Sequence, residues 1–375
     1  MILDTIRAIY KINLGMKAGE RVLIFTDLPV PSETIDTADA CRRDCLRNIA
    51  LLTAEVGRSF TKKVIYREFP ALGSHGMEPA AELWEIAFGK KAVARLKKEG
   101  LLLALLKKEL DDNSIKEAEA ILKGCRADAV DAVIALSNYS TSHTRFRDFL
   151  TRICGCRYAS MPLFDASMLE GSMHVDWRAL ARRTAVLEKI VNTAERIEIS
   201  SPNGTHLRLS KKDRKALSDT GILTRKGAFG NLPAGEVFMA PVEGSAEGKL
   251  VLQWAPTREL SEPVTLTIKN GIVTDITGKE PFAAQLATKL SERRENRNIA
   301  ELGIGTNQMA KRPDNILESE KILGTIHIAL GDNSSFGGKV KTPFHQDFVV
   351  FKPTVTLITA AGEKIRILDR GAPLF

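Results

Sequence analysis

Two histidines stand close together late in the chain, each in a segment that also carries acids and β-branched residues. The segments are Thr325-Ile326-His327-Ile328-Ala329-Leu330-Gly331-Asp332-Asn333 and His345-Gln346-Asp347-Phe348-Val349-Val350. Alternate side chains of an extended strand share a face, so His345 and Asp347 converge on one side. An imidazole beside a carboxylate suits a borderline metal ion; taken alone, the motif equally describes a histidine steadied by its neighbour. Two glutamates strengthen the metal reading. Glu236 follows the turn sequence Asn231-Leu232-Pro233-Ala234-Gly235 and opens the apolar run Val237-Phe238-Met239-Ala240-Pro241. Glu301 opens Glu301-Leu302-Gly303-Ile304-Gly305-Thr306-Asn307. A carboxylate in such a run is expensive to bury unless it is paired or coordinated. Glu236, Glu301, His327, His345 and Asp347 therefore read as the donors of a metal-dependent enzyme.

These donors need a framework, and the alternation of patterns along the chain indicates one. In the first half, strand-like runs at Arg21–Phe25, Lys63–Tyr66, Val130–Leu136 and Arg157–Met161 are separated by helical periodicity from about Glu33, over Pro79–Leu110 and Ser114–Leu122, and near Thr144–Ile153. A helix over Trp177–Thr193 closes this half. Strands separated by helices predict an α/β domain with a mostly parallel sheet. Beyond Glu195 the character changes to hairpins. Arg196–Ser200 and Thr205–Leu209 flank Pro202-Asn203-Gly204, Val264–Ile268 and Ile272–Ile276 flank Asn270-Gly271, and Val355–Thr359 and Lys364–Leu368 flank Ala361-Gly362. With one helix at Ala283–Arg293, this predicts an α+β domain of antiparallel sheet carrying the metal site. The expected division is 1–194 and 195–375.

Composition narrows the function classes. The 375 residues are 44% hydrophobic and 27% charged, ordinary for a globular protein. The longest apolar run, Leu101–Leu106, is too short to span a bilayer. The N-terminal residues lack the regions of a secretory signal, so a cytoplasmic protein is expected. The formal charge is +8, but the basic residues lie along amphipathic helices mixed with glutamates, and aromatics are only 6%. That argues for solvated helix faces over a nucleic-acid platform. The five cysteines, Cys41, Cys45, Cys125, Cys154 and Cys156, lack zinc-knuckle spacing and read as reduced structural thiols.

The segments NLPAGEVFMAP, ELGIGTN, HIALGD and HQDF, in that order, resemble the thermophilic metallo-aminopeptidases, the aminopeptidase T and S family. KAGERVLIFTD and SHTRFR extend the resemblance loosely into the first half. It implies a homodimer holding two divalent ions per chain, zinc, cobalt or manganese, between carboxylates and histidines. Glu236, Glu301, His327, His345 and Asp347 fall on the family's ligand positions. A further family glutamate lies where this chain has Ile322; Glu320 replaces it if the intervening segment is longer. The family's catalytic tyrosine position is Ser334.

Three readings follow from these residues. In an aminopeptidase, the two ions would activate a water to attack a peptide, and Glu301 or Glu320 would carry its proton to the leaving amine. Alternatively, His327, His345 and Asp347 form a two-histidine, one-carboxylate set of the kind that holds Fe(II) in non-haem oxygenases. A ring-cleaving dihydroxypyridine dioxygenase is similar to this aminopeptidase family, and the missing tyrosine favours that reading. The third is a non-catalytic metal-binding protein. The hydrolase is the expectation carried forward, with a peptide or small molecule as its substrate. Gly331–Gly338 is expected to line the cavity, its glycines allowing close backbone approach. His143 and Arg145 are candidates for a substrate carboxylate, with local capping by Thr144 as the alternative. Asp27 shares that ambiguity, while His75, His174 and His206 read as structural.

Overall fold

Short apolar runs in the first half become parallel strands because both of their faces are covered. The computed structural model describes residues 1–375. In chain order the early strands are β1 (Val22–Leu28), β2 (Val64–Pro70), β3 (Ala132–Ala135) and β4 (Arg157–Ser160). Next come β5 (Ala194–Ser200), β6 (His206–Ser210), β7 (Leu217–Asp219), β8 (Phe229–Asn231) and β9 (Glu236–Met239). The remainder are β10 (Glu247–Ala255), β11 (Arg258–Lys269), β12 (Ile272–Thr277), β13 (Ile299–Gly305), β14 (Ile326–Gly331), β15 (His345–Val350), β16 (Thr354–Thr359), β17 (Lys364–Asp369) and β18 (Ala372–Pro373).

Contacts divide the chain into two units, residues 1–174 with 221–233, and residues 175–220 with 234–375. The first unit holds a five-stranded sheet of order β2-β1-β3-β4-β8, parallel throughout. Val22, Leu23, Ile24 and Phe25 of β1 are fully buried, as parallel strands covered by helices require. The helical stretch expected over Pro79–Leu110 is three helices, Ala81–Phe88, Lys90–Lys98 and Leu101–Lys107. Gly89 and Gly100 break it: both take positive φ, and a Cβ on Gly89 would lie 2.7 Å from the Asp128 Cβ. Three polar residues of this unit make hydrogen bonds to its backbone. Thr144 caps the turn Arg145–Asp148, its hydroxyl accepting from the Arg147 N–H at 3.0 Å. Asp27 accepts from the backbone N–H groups of Asn138 and Tyr139, and His75 Nδ1 accepts from that of Ser140.

The second unit is built from two antiparallel sheets. The larger has the order β12-β11-β10-β6-β5-β16-β17-β18, and the smaller β15-β14-β13-β9-β7. All three expected hairpins form, as β5–β6, β11–β12 and β16–β17. At the tip of the second, Asn270 and Gly271 both have positive φ, as a tight two-residue turn requires. One core joins the sheets, with Ile197, Leu209, Leu250 and Leu266 from the larger and Val237, Leu302, Ile328 and Phe348 from the smaller. Each such side chain contributes about 1.5–3 kcal/mol by leaving water.

The observed division differs from the expected boundary near 195. The helix Trp177–Asn192 belongs to the second unit, where Leu187 and Val191 join its core and Thr184 hydrogen-bonds Thr306 at 2.7 Å. Residues 221–233 return to the first unit and supply β8. A helix's periodicity reveals that it has an apolar face, but not which sheet will cover that face. The five cysteines are free thiols. No helix is long and apolar enough to cross a membrane.

Candidate metal centre

Strand alternation in the smaller sheet sends apolar residues into the core and acids and histidines to the opposite face. On β13, Leu302 and Ile304 enter the core while Glu301, Gly303 and Gly305 share the other face. On β14, Ile326, Ile328 and Leu330 go in, leaving His327, Ala329 and Gly331. His345 and Asp347 of β15 and Glu236 of β9 complete this face.

Register then decides what each donor meets. Glu236 pairs with Gly305 and His327 with Gly303. Glu301 and Asp347 both pair with Ala329, and His345 pairs with Gly331. Each donor thus has a glycine or alanine opposite it on one side, although on their other sides His327 also faces Val349 and Glu236 faces Asp219. At Gly303 the fit is extreme. A Cβ there would stand 1.9 Å from His327 Cε1 and 2.0 Å from Nε2, so the imidazole lies directly over the bare backbone.

The donors converge. His327 Nε2 is 3.4 Å from Glu236 Oε2, 3.4 Å from Glu301 Oε1 and 4.0 Å from Asp347 Oδ1. His345 Nε2 is 3.5 Å from Glu301 Oε2 and 3.4 Å from Asp347 Oδ2. Two donors each about 2.1 Å from one ion at the tetrahedral angle stand about 3.4 Å apart. Two overlapping sets of three donors, Glu236–Glu301–His327 and Glu301–His345–Asp347, share Glu301 and are spaced so that a metal ion could be held there.

The unmet bonding capacity of these groups also fits a cation. Glu236 Oε2 and Asp347 Oδ1 are buried without a hydrogen-bond partner, a costly state for carboxylate oxygens that coordination would relieve. His345 Nδ1 lies 2.8 Å from the Asp332 carbonyl oxygen. Donating there leaves Nε2 free to bind a metal. His327 Nδ1 has no partner, so packing against Gly303 orients this ring.

Electrostatics agree. Burial works against charge on His327, but the Glu301 hydrogen bond and nearby carboxylates overcome it and raise the imidazole to about 9. Against the same penalty, Asp347 and Glu301 raise His345 to about 10. Burial opposes ionisation of Asp347 too, yet His345 holds its carboxyl below the usual range. Glu301 is pushed up, chiefly by desolvation. Glu320 is pushed up by burial to about 8, and it hydrogen-bonds Asp347. It belongs to neither of the two donor groups.

Lys321 was not anticipated. It is fully buried, and its Nζ donates to Glu236 Oε1 at 2.5 Å and Glu320 Oε2 at 2.8 Å. The only signal in the sequence was a lysine between an acid and an apolar pair, too common to single out.

Within Gly331–Gly338, Gly331 lies against the Phe344 carbonyl and Gly338 against Asn333, while Gly337 faces open space. A Cβ on Gly338 would collide with the Asn333 carboxamide at 1.9 Å, and Asn333 Oδ1 accepts from the Val340 N–H at 2.9 Å. Ser334 is exposed and bonded to Asp332, so no hydroxyl at that position enters the centre. The same loop carries Phe336, whose ring meets His345 edge-on at 6.1 Å and Phe238 at 5.8 Å.

An α/β unit followed by an antiparallel unit whose smaller sheet carries a histidine–carboxylate group, buried at Glu236, Glu301 and His327 and more open at His345 and Asp347, defines a candidate metal centre. The family described as NicX, 2,5-dihydroxypyridine 5,6-dioxygenase, matches residues 112–364, a span containing every donor. The chain belongs to that family. The 2,5-dihydroxypyridine 5,6-dioxygenase of Pseudomonas putida KT2440 is 28% identical over 183 residues, 44% of this chain and 52% of the relative. The chain thus matches about half the length of that curated relative. Among solved structures, the 2,5-dihydroxypyridine dioxygenase of the same organism superposes with a TM-score of 0.69 at 18% identity, covering 100% of this chain and 96% of its own. Wild-type AmpT from Thermus thermophilus superposes at 0.57 with 15% identity, covering 100% and 99%. The resemblance to aminopeptidase T therefore holds for the fold. The expected hydrolase does not hold, because family and curated relative are both dioxygenases. With it falls the assignment of Glu301 and Glu320 as proton carriers in peptide hydrolysis.

Proposed function

We propose that this protein is a ferrous-iron-dependent oxygenase that cleaves a dihydroxylated pyridine ring. One observation carries the reading: His327, His345 and Asp347 converge on one sheet face inside the segment that matches a ring-cleaving dioxygenase family. An Fe(II) ion held by two histidines and a carboxylate keeps further coordination positions open, which supplies the redox chemistry that oxygen-dependent ring cleavage needs.

The protein's own groups bind and prepare the substrate. Phe336, edge-on to His345 and to Phe238, offers an apolar wall against which a flat heteroaromatic ring can pack. Glu301 lies between both imidazoles, and its burial-raised carboxyl makes it the base that takes a proton from a ring hydroxyl. Glu320, protonated at neutral pH, hydrogen-bonds Asp347 and supports its ionised state.

The test is anaerobic loading with Fe(II), then addition of 2,5-dihydroxypyridine and oxygen. One O2 consumed per ring opened, with both atoms of labelled oxygen in the product, is the expected result. No oxygen uptake by iron-loaded protein refutes the reading.

A further inference from the structure

Two of the four carboxylates around the centre are shared with a charge the protein carries itself. Lys321 Nζ sits between Glu236 Oε1 at 2.5 Å and Glu320 Oε2 at 2.8 Å, with its side chain wholly excluded from solvent. The remaining reach of both carboxylates is toward the donor cluster. Glu236 Oε2 is 3.4 Å from His327 Nε2 and has no hydrogen bond of its own, while Glu320 bonds Asp347. Carboxylates that link two positive centres in this way are the wiring of two-metal sites. Here one of the two centres is an ammonium.

We infer that Lys321 occupies the place of a second cation, so that the site accepts one divalent ion on the His327–His345 side. This rests on the metal-centre reading above. A second ion bound to Glu236 Oε1 and Glu320 Oε2 would have to lie about 2.0–2.2 Å from each oxygen. The Lys321 ammonium already fills that volume. Nor is it free to withdraw: its N–H donates to the Glu318 carbonyl at 3.0 Å, and its own carbonyl accepts from the Asn307 N–H at 2.8 Å. Removing the ammonium would leave the Glu236 and Glu320 carboxyl groups buried with no cation between them, and a second metal ion is what such a pocket attracts. The expected pair of ions per chain thus becomes one ion and one lysine.

The experiment titrates metal-free protein with Co(II) and counts cobalt per chain after gel filtration. Wild type should saturate at one, Lys321→Ala and Lys321→Met at two, and Lys321→Arg at one. Two ions on wild type, or one on both uncharged variants, overturns the inference. Should those variants be unfolded without metal, recovery of a cooperative melt at two equivalents of Co(II) but not at one supports it. Failure to recover at two equivalents overturns it. A wild type that binds no cobalt refutes the metal-centre reading and the inference together. One ion bound without ring cleavage supports the inference while removing the proposed activity.

Discussion

Gly303→Ala adds one methyl group, and the structure places it inside the His327 ring. The new Cβ would stand 1.9 Å from Cε1, whereas real Cβ contacts begin at 3.0–3.4 Å, so the ring must retreat by roughly 1.1–1.5 Å. The strand cannot yield instead, because β13 is hydrogen-bonded to β9 on one side and β14 on the other. Metal bonds tolerate displacements of about 0.2 Å, so the substitution removes His327 as a donor without altering it chemically. Disturbing a supporting residue typically weakens metal binding about 10–100-fold, and displacing a donor outright should exceed that. Overpacking should also cost the metal-free protein about 1–3 kcal/mol. Co(II) titration calorimetry reads the first effect and urea denaturation the second. The double variant Gly303→Ala/His327→Ala supplies the control, since without the ring the added methyl has nothing to strike. The destabilisation by Gly303→Ala should therefore largely vanish in the His327→Ala background. Cobalt affinity within twofold of wild type, or equal destabilisation in both backgrounds, would refute the packing argument.

Metal binding should release protons. With His327 raised to about 9 and His345 to about 10, both are charged at neutral pH in the metal-free protein and must lose a proton to bind an ion. Calorimetry at pH 7 in buffers of different ionisation enthalpy should give about two protons per ion, with affinity rising toward pH 9; a value near zero counts against the assignment. The same upward shifts stabilise the metal-free fold fully below the ordinary histidine value of about 6.5, and this contribution should fade as pH rises through 9 to 10 in urea melts. Phe336→Ala should raise KM for the pyridine substrate roughly 2–10-fold, the equivalent of one aromatic contact, with iron content unchanged. Ser334→Ala should leave both kcat and stability (within about 0.5 kcal/mol) unaltered, because this exposed hydroxyl reaches only Asp332.

Much of the second unit was legible from local pattern. Asn270-Gly271 between two alternating runs identifies a hairpin because few other residues adopt two successive positive φ values. Glu236, Glu301, His327, His345 and Asp347 stood out because acids and histidines in apolar strands need partners. The first unit was less legible in its details. Gly89 and Gly100 interrupt a helical pattern that periodicity alone runs together, since an isolated glycine is tolerated in many helices. The choice between hydrolase and oxygenase was legible only in part. Ser334 in the tyrosine's position pointed toward the oxygenase, but both chemistries use the same donor types, so the donors themselves did not decide it.

By itself, the sequence determined which residues share a strand face, because alternation is a local property of extended backbone. It thus placed His345 beside Asp347 and separated Leu302 and Ile304 from Glu301. Tertiary structure decided what lies across from each donor. Pairing of His327 with Gly303, and of Glu301 and Asp347 with Ala329, is set by register between strands far apart in the chain. The burial of Lys321 between Glu236 and Glu320 was likewise decided there. A lysine's charge is evident in any sequence, but its worth as a fixed cation depends on which carboxylates the fold brings to it and on the exclusion of water around them.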